Sequence, residues 1–114
     1  MLYLMSMHFL LRKRRILGRI AMFIGSCMFY LSIDWANSLK DKRQCIKSIT
    51  DKMKHKFNIS VAEVSENDNH NIGVIGFVCV SNSKIHVEQT IDTVLKFVQN
   101  HTEAEVYNIE IEIF

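Results

Sequence analysis

The segment from Ile20 to Ile33 is the most hydrophobic part of the chain, and its pattern limits the possible folds more than any other feature. A signal anchor places positive charge before such a segment, but this one is only about fourteen residues long where a spanning helix needs roughly 20. Asp34 follows it directly. The segment also alternates, and the positions on one side are Phe23, Gly25, Cys27, Phe29, Leu31 and Ile33. This period of two predicts a β-strand in a protein without a membrane span.

Residues 1–21 carry a run of positive charge, Arg12-Lys13-Arg14-Arg15, with no acid beside it. We interpret them as a basic N-terminal extension, which is either a flexible arm or the product of a mis-assigned start site. The folded domain is then predicted to span residues 22–114. That domain holds nine basic and twelve acidic side chains, so its net charge is −3 although the whole chain is +2.

The composition is typical of one ordinary globular domain, with 114 residues, 48% apolar side chains and no proline. Cys27, Cys45 and Cys79 are odd in number and far apart in the sequence. This favours three buried thiols in a reducing compartment over a disulfide framework or a C-x-x-C ligand pair. We therefore expect a cytoplasmic protein.

Two segments have the apolar spacing of a helix. The first is predicted to begin at Ser38, whose hydroxyl can cap the first turn while Asp41 reaches back as in a capping box. Its apolar stripe is Leu39, Ile46, Ile49, Met53 and Phe57. The second helix is predicted to follow Asn82 or Ser83 as its cap. Its core residues are Val87, Ile91, Val94, Leu95 and Val98.

Three further segments are predicted to be strands. Residues 59–64 and 72–80 are rich in β-formers and are separated by turn formers at 66–71, which predicts a hairpin. At the C-terminal end, polar residues alternate with Tyr107, Ile109, Ile111 and Ile113. The order strand, helix, strand, strand, helix, strand favours a ferredoxin-like α+β sandwich, a βαββαβ fold in which two helices cover one face of a four-stranded antiparallel sheet. The other face is left to solvent or to a partner.

Several segments within residues 22–114 resemble the YlxP-like family, a small bacterial domain of unknown function. The matching features, besides an Ile/Glu closing strand, are Met22-x-Ile24-Gly25, Ser38-Leu39-Lys40-Asp41-Lys42-Arg43, Phe57-Asn58-Ile59-Ser60-Val61-Ala62-Glu63-Val64 and Val80-Ser81-Asn82-Ser83. The resemblance implies the ferredoxin-like fold and a cytoplasmic location. The family's genes often lie among those for translation and ribosome maturation, which implies an RNA-linked role by association.

No segment assembles a nucleophile with its base, a metal-binding set or a phosphate-binding loop. We therefore expect a protein that is not an enzyme and has no cofactor, metal or small-molecule substrate. The segment 75–80 is similar to a fragment of the ribonucleoprotein motif of RNA-recognition domains, but it lacks the aromatic residues needed for base stacking. Its one aromatic residue, Phe77, is expected to face the helices, so a buried strand is the better interpretation.

A basic stripe near the start of the first helix is the leading candidate site, and its members are Lys40, Lys42, Arg43 and Lys47. Long basic side chains at a helix N-terminus can contact phosphates. We therefore predict contact with ribosomal or another structured RNA, although solvation of a surface helix accounts for any single lysine. The domain's negative charge opposes such binding at long range unless its acidic face points away.

A second hypothesis is a protein-binding or self-associating scaffold, in which the open sheet face forms a homodimer. Glu63 shares a side of its predicted strand with Ile59 and Val61. We expect this carboxylate to be half-buried and to form a structural or interface ion pair with a cation of the first helix, rather than to act as a general base.

Overall fold

The structure, a computed structural model, describes residues 20–65 and 67–114. Its elements are β1 (Phe23–Ser32), α1 (Leu39–Lys56), β2 (Ser60–Ser65), β3 (Ile72–Ser81), α2 (Lys84–His101) and β4 (Glu105–Ile113). The strands form one antiparallel sheet in the order β2-β3-β1-β4. This confirms the predicted ferredoxin-like α+β fold. Most of residues 1–21, the predicted extension, lies outside the described residues, so both explanations of it stay predictions.

Strand β1 lies in the centre of the sheet and pairs with β3 on one side and β4 on the other. Its predicted alternation is confirmed, since Cys27, Phe29 and Leu31 are almost fully buried while Ser26 and Met28 on the other side are partly exposed. The hydrophobic segment is therefore a strand and not an anchor helix. Among the helices in the described ranges, none has the length and apolar character needed to cross a membrane.

Side chains at the helix N-termini set where the helices begin. Ser38 Oγ accepts a hydrogen bond from the Asp41 amide at 3.2 Å, as predicted. The Asp41 carboxylate accepts from the Asn37 amide at 3.0 Å. The return hydrogen bond of the capping box is therefore made to the residue before the cap and not to the Ser38 amide. Of the two candidate caps for α2, Ser83 is the one used, and its hydroxyl accepts from the His86 amide at 3.3 Å.

The core lies between the helices and one face of the sheet. Phe29 and Phe77 meet edge to face with ring centroids 6.5 Å apart, and both are buried. Gly25 allows α2 to approach β1 closely, because a Cβ there would lie 2.4 Å from Val87 Cγ1 and 2.8 Å from Ile91 Cδ1. The burial of Phe77 against Phe29 shows that Phe77 faces the helices, as predicted.

Strand β4 departs from the predicted alternation. Its register against β1 shifts between Met28 and Tyr30, and Asn108 has a φ of 50° at this point. Asparagine tolerates this left-handed conformation, which is typical of a β-bulge. The bulge places Tyr107 opposite Tyr30, on the side of the sheet away from the helices, with ring centroids 5.5 Å apart. The expectation that Tyr107 shares a side with the isoleucines is therefore wrong.

Candidate interaction site

Four of the exposed basic residues of α1 form a stripe along one side of the helix, which we define as Lys40, Arg43, Lys47 and Lys54. Lys47 Nζ lies 2.7 Å from Asp51 Oδ2. This hydrogen bond raises the pKa of Lys47 and lowers the pKa of Asp51. Because both groups are in water, the pair adds little stability, but the aspartate offsets part of the positive charge of the stripe.

Lys42 does not belong to the exposed stripe, which corrects its assignment to the partner-contacting set. Its side chain is 2% exposed, and Nζ donates to Asn67 O and Asn67 Oδ1, each at 3.0 Å, and to Asn69 O at 3.1 Å. All three ammonium donors are thus used to hold the β2–β3 connection against α1. The spacing contained a signal for this, because Lys42 lies four residues before Ile46 and seven before Ile49 on the apolar stripe.

Asn71 ties the same connection to the start of α1. Its Nδ2 donates to the carbonyls of Ile33 at 2.8 Å and Ala36 at 3.0 Å. Lys42 and Asn71 together fix the position of the hairpin relative to the β1–α1 loop. These contacts serve the fold and present no free donor to a partner.

Glu63 lies half-buried on β2, opposite Ile75 of β3. In the part of the chain that the structure describes, it makes no ion pair with a cation of α1. The expected pairing within the chain is therefore not formed. Its role in an interface pair stays a prediction.

The sheet face away from the helices, which we call the open face, carries the larger candidate surface. Val64, Val78 and Val80 are exposed there by 53%, 42% and 62%. Val64 and Val78 line a shallow trough of about 310 Å³, to which Met28 and several small residues also contribute. The small residues that line the trough are Ser26, Ser60, Ala62 and Gly76. The signal for this surface lies in residues 72–80, which are apolar on both sides of the strand, although that pattern is more typical of a strand buried on both faces.

Acidic side chains border the open face on the β4 side. Glu110 pairs with Met28 and Glu112 pairs with Ser26, so both carboxylates lie beside the trough. Both are exposed. The four described strands contain neither Lys nor Arg, so no cation of the sheet offsets these acids.

A second, smaller cleft of about 260 Å³ lies between α1 and the end of α2. Cys45 lines it, and burial raises the pKa of this thiol, with a hydrogen bond from Thr102 acting in the opposite direction. A thiol with a raised pKa is protonated at neutral pH and is a poor nucleophile. Lys52 Nζ reaches across to the His101 carbonyl at 3.4 Å.

Within residues 20–65 and 67–114 no three His, Cys, Asp or Glu side chains are grouped for metal binding.

Comparison with known proteins gives one family. The model of DUF503, described as a protein of unknown function, matches residues 24–111. The uncharacterized protein YlxP of Bacillus subtilis (strain 168) is 34% identical over 70 residues, which cover 61% of this chain and 76% of that protein. The de novo designed protein Foldit4 matches with a TM-score of 0.47 and 14% identity, over 82% of this chain and 96% of that one.

Proposed function

The chain belongs to the YlxP-like (DUF503) family of proteins of unknown function, and we propose that it is a non-enzymatic protein-binding module whose contact surface is the open face of the sheet. The observation that carries the proposal is the exposure of Val64 and Val78 in one trough, with the exposed Val80 two residues further along β3 on the same face. Contiguous exposed apolar surface is costly in water and is typical of a binding site. The unpaired thiols support a reducing, cytoplasmic setting for this module.

The test is site-specific photo-crosslinking in cells. A photoreactive amino acid in place of Val80 should crosslink the chain to one partner protein and give a discrete adduct. The same amino acid in place of Gln99, which is exposed on α2, should give no adduct. The substitution Val78→Glu, which places a charge in the trough, should lower the Val80 adduct at least tenfold. The matched change Ile85→Glu replaces a side chain that is 66% exposed on α2 and should leave the adduct unchanged. Equal adducts at Val80 and Gln99 would contradict the proposal.

RNA contact through α1 is a second candidate, supported by three cations of the stripe. Lys40, Arg43 and Lys54 form no ion pair with an acid inside the described ranges. Against it stand the burial of Lys42, the pairing of Lys47 with Asp51 and the net charge of −3 from residue 22 onward. These points rank it below the open face.

Ribosome co-sedimentation tests the RNA candidate. If α1 contacts phosphates, replacing Lys40, Arg43 and Lys47 with Glu should abolish co-sedimentation, and binding of the unmodified chain should weaken steeply as salt rises. Replacing Lys52, Lys84 and Lys96 with Glu changes the net charge equally and is the matched control. Loss of co-sedimentation in both variants, or in neither, would count against a specific role of the stripe.

A further inference from the structure

The charges beside the trough restrict what can occupy the open face. Glu110 and Glu112 are two residues apart on one side of β4, which puts their Cα atoms about 7 Å apart along the strand. A partner that covers the trough brings its own groups close to these carboxylates. Burying them in part without an opposite charge costs free energy, so the partner has to supply cations.

A second copy of this chain does not meet this requirement when two open faces meet. The described strands carry no Lys or Arg, so such a dimer would bring acids and valines of one copy against the same groups of the other. The cations of α1 are on the helix layer, behind the opposite face of the sheet. If α1 of one copy met the open face of the next, the contact would be heterologous and would not close into a dimer. An RNA backbone would be repelled by both glutamates.

The shape of the trough fits a helix. Four of its lining residues are small and let another backbone approach, while Met28, Val64 and Val78 offer apolar contacts. An amphipathic helix places apolar residues at i, i+3, i+4 and i+7, a stripe that lies along such a groove. Cations at i and i+4 on the flank of that helix are about 6 Å apart, close to the spacing of Glu110 and Glu112.

We infer that the open face binds a basic amphipathic helix of a protein partner, with its apolar stripe in the trough and its cations against Glu110 and Glu112. This inference rests on the proposed protein-binding function. It adds the secondary structure and the charge of the partner.

The test uses the full chain and two fluorescent synthetic peptides in anisotropy titrations. Each peptide has about 18 residues, or roughly 27 Å of helix, with Leu at helical spacing and either Lys or Glu at i and i+4 on one flank. The Lys peptide should bind at least tenfold more tightly than the Glu peptide. The double substitution Glu110→Lys with Glu112→Lys should reverse that preference, and the matched change Glu88→Lys with Glu103→Lys, away from the open face, should preserve it.

Several results would overturn the inference. An unreversed preference in the Glu110 and Glu112 variant would show that the glutamates are not the contact. A concentration-dependent dimer that Val78→Glu abolishes would assign the face to a second copy. If the peptide bound more tightly after residues 12–15 were all replaced with Ser, the chain's own basic segment would be competing for the open face, and the face would be assigned to that segment. If neither peptide binds but the crosslinked adduct at Val80 is still formed, only this inference is wrong. If the peptides do not bind and no adduct forms, the proposed function is wrong as well.

Discussion

The two faces of the sheet come from the same strands but have opposite properties. Phe29 is fully buried against the helices, whereas Val78 and Val80 of the neighbouring strand β3 point the other way and are exposed by 42% and 62%. On the helix face, large side chains fill the space between two layers. On the open face, small residues leave a trough. The difference indicates that the helix face carries most of the stability of the fold, and it is the reason why we propose the open face as the binding surface.

The largest effect that tests this comparison is a truncation on each face. Phe29→Ala should lower the free energy of unfolding by about 3–5 kcal/mol, since it leaves a cavity in a packed core. Val78→Ala removes a side chain that water already contacts, so the loss should be under about 1 kcal/mol. Urea denaturation followed by circular dichroism measures both. Losses of equal size would show that the open face is part of the stabilising core.

The helix face is also the part of the molecule that the sequence describes best. The alternation through Phe29 and the hydroxyls of Ser38 and Ser83 predicted one strand and two helix starts, because period and capping are local properties. The open face was harder to predict. Its trough depends on which small residues of three strands become neighbours, and the side of Tyr107 depends on a bulge that no local pattern reveals.

Lys42 shows a different limit of local patterns. A lysine within Lys40-Asp41-Lys42-Arg43 has the same neighbours in sequence whether its ammonium is in water or inside the protein. The spacing to Ile46 and Ile49 hints at the buried side of the helix, but the acceptors that hold the ammonium there, on Asn67 and Asn69, lie 25 and 27 residues away. The predicted basic site on α1 therefore included Lys42, which is buried and cannot contact a partner.

The second prediction asks whether the helix side of the fold depends on that buried charge. Lys42→Met keeps the length of the side chain but removes the donor of the Asn67 and Asn69 carbonyls and leaves Asn67 Oδ1 only the Asn69 amide, so stability should fall by about 3 kcal/mol. Lys40→Met is the matched control two residues away, and there the change should stay within about 0.5 kcal/mol. Urea denaturation of both variants measures the two losses in unfolding free energy. An equal, small effect would place Lys42 among the surface lysines.

The third prediction uses pH to test the burial of Cys27 on the helix face. Burial, followed by the nearby Cys79, raises the pKa of Cys27 from 9.0 to about 11. Because the folded state holds the proton more tightly, the stabilising contribution of the thiol is complete below pH 9 and is lost as pH rises towards 11. The difference in unfolding free energy between the unmodified chain and Cys27→Ala should therefore shrink by roughly 2–3 kcal/mol between pH 8.5 and 11. A difference that stays constant with pH would mean that solvent reaches Cys27.

The smallest effect compares two glycines on opposite faces. A methyl group at Gly25 would lie 2.4 Å from Val87 Cγ1, inside the packed layer, so Gly25→Ala should cost about 1–3 kcal/mol by forcing α2 away from β1. A methyl group at Gly76 would meet Val64 Cγ1 at 3.0 Å, and Val64 is free to move because it is exposed. Gly76→Ala should therefore change stability by less than about 0.5 kcal/mol, yet it should raise the floor of the trough and weaken binding of the Lys peptide severalfold. Thermal melts and anisotropy titrations on the two variants separate these outcomes. If Gly76→Ala destabilised the fold as much as Gly25→Ala, the open face would be as tightly packed as the core, and the division of the sheet into a stabilising face and a binding face would not hold.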